Sequence, residues 1–265
     1  MSKYLFDNLK MINDFKNDKS TAIILDIDGT ISEIAPTPQE AVVNSAMHAE
    51  LIKLKEKFDL LAIISGRSVN DARAMVGIED ILYVGNHGLE YFFDGQYSVA
   101  EEVEKYLHQI EQSADQLNIE LGDIEGILFE DKGICYSIHY RQCNDGEVVR
   151  KKILNSLKNG PESKNLQISE GRKLVEIKPP LGFDKGVILH RIIEKHDLNK
   201  VIYLGDDITD LDAFKKLSEL ENEGKIRSAS ILVFSNEIPS YVKNSTSFFV
   251  DSVNEVLNFF RWLLD

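Results

Sequence analysis

Short uninterrupted apolar runs alternate with amphipathic stretches along much of the chain. Thr21 to Leu25 is one such run and ends in Asp-Ile-Asp-Gly-Thr; a helical pattern through Met47, Leu51, Leu54 and Phe58 follows, and Leu60 to Ile64 ends in Ser-Gly-Arg. Ile81 to Val84 stops at Gly-Asn-His-Gly. Continuous runs rich in β-branched residues, bounded by glycine and separated by helical stretches, predict βαβ units with strands buried on both faces. The same alternation returns late in the chain. Gly186 to His196 reads as helix, Val201 to Leu204 as a strand ending in Gly-Asp-Asp, Ile231 to Phe234 as another strand, and Val253 to Leu264 as an apolar helix.

The texture between these halves differs. From about Tyr97 the pattern becomes an acidic helix over Val99 to Leu117, strands at Gly126 to Glu130 and Ile134 to Tyr140, and a helix over Glu147 to Leu157. Strands at Leu166 to Ser169 and Lys173 to Ile177 close it. A unit of this composition is large enough for its own small core. The turn residues of Asn159-Gly160-Pro161 and of Lys178-Pro179-Pro180, with Gly182 after the second, mark a return to the first pattern. The expected division is therefore 1–96 and 180–265 for one domain and 97–179 for the insert. No low-complexity tract or fixed-period repeat suggests a solenoid.

Composition narrows the partners. The 265 residues include 44 acidic and 30 basic ones, for a formal charge of −14. Such a field opposes general binding to nucleic acid or an anionic membrane, so an anionic ligand has to be captured by local positive charge. No apolar run approaches the roughly 20 residues needed to span a bilayer, and the start of the chain is polar, so no membrane partner and a cytoplasmic location are expected. The two cysteines, Cys135 and Cys143, fit reduced thiols better than a disulfide framework or a zinc site.

The strand ends carry the candidate chemistry. In an open α/β sheet, ligands bind beyond the carboxyl ends of the strands. Asp26, Asp28 and Thr30 stand at one such end, Ser65 and Arg67 at a second, Asn86 and His87 at a third, and Asp206, Asp207 and Asp210 at a fourth. Five carboxylates converging on one crevice would repel one another unless a cation is bound, and their hard oxygens suit Mg²⁺. Asp26 and Asp28 leave their strand one residue apart, which allows one carboxylate to attack phosphorus while the other moves a proton. Ser65 opens a loop-to-helix junction where Ser68 and Asp71 have capping-box spacing, so a phosphate could meet a hydroxyl and backbone N–H groups there. Thr209 and Asp212 repeat that spacing.

These residues also resemble a known family. LDIDGT, ISGR, the isolated lysine of FDKGVIL and YLGDDITD occur in the order of the four motifs of the haloacid-dehalogenase superfamily of phosphohydrolases. The resemblance covers the whole chain, with the insert where that superfamily places its larger cap. GNHGLE, FEDKG followed by HYR, VEIKP and GDDITDLDAF are further similar to trehalose-6-phosphate phosphatases; Leu211 departs from the Glu common in GDDxTDED. The fold class implied is α/β, with a doubly wound parallel-sheet (Rossmann-like) core and an inserted α+β cap domain. The resemblance implies a phosphoric monoester hydrolase acting on trehalose 6-phosphate, with Mg²⁺ as cofactor and a small-molecule sugar phosphate as partner. Asp26, Asp28, Thr30, Ser65 and Lys185 fall at catalytic positions, with Asp26, Asp28, Asp206, Asp207 and Asp210 around the metal. Arg67, Asn86, His87, Glu130, Lys132, Arg141 and Glu176 fall at substrate positions.

Blander readings stand beside these. Asp26 and Asp28 could be turn formers, Lys185 a solvated surface residue, His87 a satisfied loop histidine, and Glu130, Lys132 and Arg141 surface ion pairs. Asp207 and Asp210 could be metal ligands or partners that orient Lys185, and Asp210 could simply start a helix. A phosphatase of another sugar phosphate, a sugar phosphomutase and a non-catalytic sugar-phosphate sensor are the alternative functions. A monomer is expected.

Overall fold

The computed structural model describes residues 2–235 and 238–265 and divides into two compact units, Met1–Ser98 with Asp184–Asp265, and Val99–Phe183. In chain order the first unit begins with β1 (Lys3–Tyr4), α1 (Asn13–Lys16), β2 (Thr21–Leu25), α2 (Ser45–Lys57), β3 (Leu60–Ile64) and α3 (Val69–Val76). β4 (Leu82–Gly85), β5 (Glu90–Phe93) and β6 (Gln96–Val99) follow. The second unit holds α4 (Leu107–Leu121), β7 (Leu128–Asp131), β8 (Tyr136–His139), α5 (Gly146–Asn159), β9 (Gln167–Gly171) and β10 (Leu174–Lys178). The chain then returns to the first unit with α6 (Lys185–Lys195), β11 (Lys200–Gly205), α7 (Leu211–Asn222), β12 (Arg227–Val233), α8 (Ser240–Lys243), β13 (Phe248–Val250) and α9 (Val253–Leu264).

The first unit is one nine-stranded sheet in the order β1-β13-β12-β11-β2-β3-β4-β5-β6. Its strands are parallel from β1 across to β4, and β5 is antiparallel to β4. Side chains on successive strand residues point to opposite faces. Ile23, Leu25, Ile202 and Leu204 accordingly share one buried cluster with residues of α2, α3 and α9. Tyr203, of opposite parity, meets Phe214 of α7 edge to face at 5.7 Å on the other face. Strands buried on both sides explain the continuous apolar runs. The strand order reverses about β2 and β11, and a doubly wound sheet offers a ligand crevice at that point.

In the second unit, four antiparallel strands run in the order β7-β8-β10-β9. Tyr136, Ile138, Val175 and Ile177 turn one face toward α4 and α5, where Ile110, Leu117, Val149 and Ile153 complete a separate core. Burying that face is what holds the unit together.

Three differences from the sequence expectations have local causes. The helix expected over Val99 to Leu117 is displaced, because Val99 closes β6, a single 3-10 turn spans Val103–Tyr106, and α4 runs on to Leu121. Only from Ile110 onward do Ala114, Leu117 and Leu121 supply a buried stripe at helical spacing. Residue 97 therefore lies inside a strand, and the second compact unit begins at Val99. The hairpin of β5 and β6 was not anticipated, although its turn residues Asp94 and Gly95 both have positive φ, as a two-residue type I′ turn requires. β1 at the sheet edge and β13 beside it are the two shortest strands of the sheet and carry no long apolar run to mark them. Among the described residues, no helix is long and apolar enough to cross a membrane.

Candidate active site

Leu25 and Leu204 are direct neighbours in the parallel register, and the Asp26 N–H donates to the Leu204 carbonyl at 3.0 Å. Asp26 and Asp206 thus leave the sheet at the same edge, on either side of the strand-order reversal. Two glycines let the carboxylates of Asp206 and Asp210 close in. Gly29 has φ +79°, and a Cβ there would overlap the Asp206 carboxylate; a Cβ on Gly205 would overlap that of Asp210. Glycine serves both close approaches, and at Gly29 the left-handed backbone as well.

Lys185 is the first residue of α6, behind the N-cap Asp184, whose carboxylate accepts from the Val187 N–H at 2.8 Å. Its side chain is 2% exposed and points its ammonium between two carboxylates, 2.9 Å from Asp26 Oδ2 and 2.7 Å from Asp210 Oδ1. Asp210 is fully engaged: Oδ1 also accepts from the Tyr203 hydroxyl at 2.6 Å, and Oδ2 accepts from the Asp206 and Asp207 N–H groups at 3.1 and 3.0 Å. Burial pushes the Asp26 carboxyl up to about 7, against the opposing pull of Lys185. Burial works against the charge of Lys185 too, but Asp210 and Asp26 outweigh it and hold its pKa above the ordinary lysine value.

Oxygens of Asp26, Asp206 and Asp210 lie within 4.8 Å of one another, and all three residues are buried. Three buried carboxylates facing one lysine constitute an excess of negative charge where solvent screens poorly, and their oxygens are hard donors. The donor set fits a divalent cation of the kind that prefers oxygen. Because Asp210 spends its acceptor capacity on Lys185, Tyr203 and two backbone N–H groups, Asp26 and Asp206 are better disposed to bind such an ion. Asp28 and Asp207 are not in this group. Asp207 caps the following turn by accepting from the Ile208 N–H at 2.7 Å, and Asp28 is held by Arg67.

The loops after β3 and β4 interlock beside this cluster. Ser65 is buried and its Oγ accepts from the Arg67 N–H at 3.2 Å. Asn86 and His87 occupy the left-handed region at φ 46° and 56°, strain of about 1–3 kcal/mol each for residues with a Cβ. Two bonds hold them there: the Asn86 N–H donates to the Arg67 carbonyl at 2.8 Å and the His87 N–H to that of Ser65 at 3.1 Å. The His87 ring lies over Gly66, where a Cβ would meet it at 2.8 Å. Asn86 and Thr30 are fully buried, and neither polar atom of the Asn86 amide nor the Thr30 hydroxyl has a hydrogen-bond partner. Buried polar atoms in that condition are costly unless something else binds them.

The N-terminus of α3 is less open to phosphate than its spacing suggested. Ser68 Oγ accepts from the Asp71 N–H at 3.1 Å, and Glu90, arriving from β5, accepts from the Val69 N–H at 2.6 Å. The protein thus satisfies two first-turn donors itself. At the acidic cluster the capping pair is Asp207 with Asp210, and not Thr209 with Asp212.

Within the second unit, Glu130 and Glu176 each pair in register with Ser137, which places the three in one row on the face opposite the helices. Lys132, just beyond β7, donates to Glu176 Oε1 at 2.9 Å and lies 3.9 Å from Glu130 Oε2; Ser137 Oγ also donates to Glu176 at 3.0 Å. His139 Nε2 is 2.8 Å from Glu130. Arg141 donates to the Arg172 carbonyl at 3.1 Å.

The family profile described as trehalose-phosphatase matches residues 24–254, which takes in every residue named above. The chain belongs to the trehalose-phosphatase family. It is 32% identical over 222 residues to a trehalose-phosphate phosphatase of Mycobacterium avium (strain 104), an alignment covering 82% of this chain and 55% of that protein. With the probable trehalose-phosphate phosphatase G of Arabidopsis thaliana it shares 30% identity over 229 residues, 76% of this chain and 60% of the relative. The chain spans about half the length of the mycobacterial relatives it matches. Among solved structures, the C-terminal domain of a C. albicans trehalose-6-phosphate phosphatase superposes with TM-score 0.83 at 19% identity, covering 100% of this chain and 98% of that one. A haloacid dehalogenase-like hydrolase from Bacteroides thetaiotaomicron gives 0.60 at 15% identity, over 92% of this chain and 99% of that one. At such identities the likeness establishes the fold, an α/β core with an inserted cap.

For this trehalose-phosphatase family member, the structure gathers Asp26, Lys185, Asp206 and Asp210 into one cluster and Glu130, Lys132 and Glu176 into another. It adds four residues that sequence reasoning passed over. Tyr203 holds Asp210 from within an apolar strand, Glu90 secures α3, and Ser137 and His139 brace the glutamates of the cap sheet. Glu90 ends the GNHGLE motif, Tyr203 begins YLGDDITD and His139 begins HYR, so of the four only Ser137 lies outside the motifs.

Proposed function

We propose that this chain hydrolyses trehalose 6-phosphate to trehalose and phosphate through an aspartyl-phosphate on Asp26, with Mg²⁺ as cofactor. The observation that carries the reading is the buried lysine clamped between Asp26 and Asp210 at the strand-order reversal. It holds a fixed positive charge beside a buried carboxylate at the end of a central strand.

Asp26 attacks phosphorus; as its oxygen–phosphorus bond forms, the bond to the sugar oxygen breaks and that oxygen takes a proton from Asp28. Asp28 then removes a proton from water, the water oxygen bonds to phosphorus, and the Asp26 carboxylate leaves with its electron pair. Lys185, kept charged and aimed by Asp210, meets the transferring oxygens together with the buried hydroxyls of Thr30 and Ser65. Mg²⁺ held by Asp26, Asp206 and the Asp28 backbone carbonyl would add positive charge against the phosphoryl dianion and the nucleophile. The buried amide of Asn86 offers a further donor and acceptor to the bound phosphate ester. Glu130, Lys132 and Glu176 supply charged acceptors and a donor suited to several sugar hydroxyls at once. The substrate roles of Arg67, His87 and Arg141 are less direct, since each is occupied with the protein's own loops. A cytoplasmic location fits the reading, because a sugar phosphate is too polar to cross a membrane unaided.

The test is phosphate release from a panel of sugar phosphates with and without Mg²⁺, using the wild type and Asp26→Asn. Wild-type enzyme should prefer trehalose 6-phosphate and require the cation, and the variant should lose turnover while keeping its fold by circular dichroism. No preference for trehalose 6-phosphate would overturn the substrate assignment. Appreciable turnover by the variant would overturn the nucleophile, and an isomeric sugar phosphate with little free phosphate would identify a mutase.

A further inference from the structure

The proposed chemistry asks Asp28 to deliver a proton to one oxygen, yet Asp28 sits on a turn with its side chain 34% exposed. A carboxylate so placed has rotamer freedom to lose before it can act. Its position is set from a loop 39 residues further on. Arg67 donates from Nε to Asp28 Oδ2 at 2.6 Å and from Nη2 to Oδ1 at 2.7 Å, and the same Nη2 reaches the Pro38 carbonyl at 3.0 Å. The Arg67 side chain is itself only 12% exposed. Its backbone is fixed at both ends, the N–H on Ser65 Oγ and the carbonyl by the Asn86 N–H. The strained Asn86-His87 segment therefore anchors Arg67, and Arg67 anchors Asp28.

We infer that Arg67 is a positioning residue for Asp28: its planar fork fixes the carboxyl group that, in its protonated form, gives its proton to the departing sugar oxygen and is left as the carboxylate. The inference rests on the phosphatase reading above. A two-point guanidinium–carboxylate pair fixes the carboxylate plane as well as its distance, which a single contact from an ammonium does not. It uses one lone pair on each oxygen, and the second on each remains for the proton. Arginine does not give up its own proton, so the guanidinium orients the acid without substituting for it.

The experiment compares two leaving groups on the full chain with Mg²⁺. The sugar oxygen of trehalose 6-phosphate needs a proton to depart, whereas p-nitrophenolate leaves without one. In Arg67→Met, kcat for trehalose 6-phosphate should fall by about 10²-fold, the low end of what a lost general acid costs, with KM little changed. The burst rate of p-nitrophenol release should fall far less, so that the ratio of the two rates moves at least about tenfold. Asp28→Asn should shift that ratio in the same sense, and the double variant should lose no more than Asp28→Asn alone, as expected for residues acting as one unit. Arg67→Lys, which keeps the charge but not the fork, should resemble Arg67→Met and guards against a folding defect in the latter. Equal losses on both substrates, a raised KM at unchanged kcat, or full additivity with Asp28→Asn would each overturn the inference, because Arg67 would then bind substrate or merely support the fold. A wild type that gives no burst with p-nitrophenyl phosphate and no phosphate from the sugar ester would overturn the phosphatase reading along with it.

Discussion

In the first unit the clustered acids lie on loops beyond the strands, whereas in the second Glu130, Ser137 and Glu176 sit on the strands themselves. The two arrangements are held by different means. Asp26, Asp206 and Asp210 depend on turn backbone, on two glycines that admit Asp206 and Asp210, and on a lysine locked between Asp26 and Asp210. The row in the second unit depends on strand register, with each position filled by whichever residue faces that side. Replacing a member of the first set disturbs neighbours that exist only for it. A row residue can change while its strand keeps its pairing, which suits positions that distinguish one sugar from another.

Lys185→Met gives the largest test of this contrast. It would leave Asp26 and Asp210 buried beside an uncharged side chain, so turnover should drop by about 10²–10³-fold and the cation-free protein should lose about 3–5 kcal/mol in urea denaturation. A loss below about 1 kcal/mol would mean that the cluster behaves like a surface ion pair, and the contrast would fail. Glu130→Gln should act on substrate alone, raising KM for the sugar phosphate about tenfold, equivalent to about 1.4 kcal/mol, while leaving KM for p-nitrophenyl phosphate unchanged. Equal effects on both substrates would place Glu130 in the chemistry. The smallest effect belongs to Tyr203→Phe, which removes one of the four hydrogen bonds to Asp210 and should cost about 1–2 kcal/mol of stability with a turnover loss of only a few-fold. A loss of turnover as large as that of Lys185→Met would show that Tyr203 does more than hold Asp210.

The same contrast explains what could be read in advance. Parallel strands advertise themselves as apolar runs, so the polar residues at their ends stood out, and Asp26, Lys185, Asp206 and Asp210 were found in the order of their motifs. What each one does was less visible. Nothing in the spacing separates Asp210 from Asp207, and only the four hydrogen bonds on Asp210 show it tied to Lys185, Tyr203 and the backbone. Tyr203 was hidden because a tyrosine in an apolar strand reads as core. The Arg67–Asp28 pair joins loops that only the adjacency of β2 and β3 brings together. In the cap, alternation suggested that Glu130 and Lys132 share a face, but pairing them with Glu176 required the strand order, which a sequence pattern does not encode. The start of α4 was misplaced because acidic residues continue the helical texture upstream of the point where burial begins.

Gly29 has a further consequence for how this chain can change. The space a Cβ would need there is filled by the carboxylate of Asp206, a residue encoded 177 positions later. Evolutionary drift at one motif is therefore bounded by the other, even though Gly29 has no functional group to lose. In a saturation library selected for activity, this position should tolerate substitution as poorly as Asp26 does. A map of intolerant sites would then trace the volume reserved for the clustered acids as well as the residues that react.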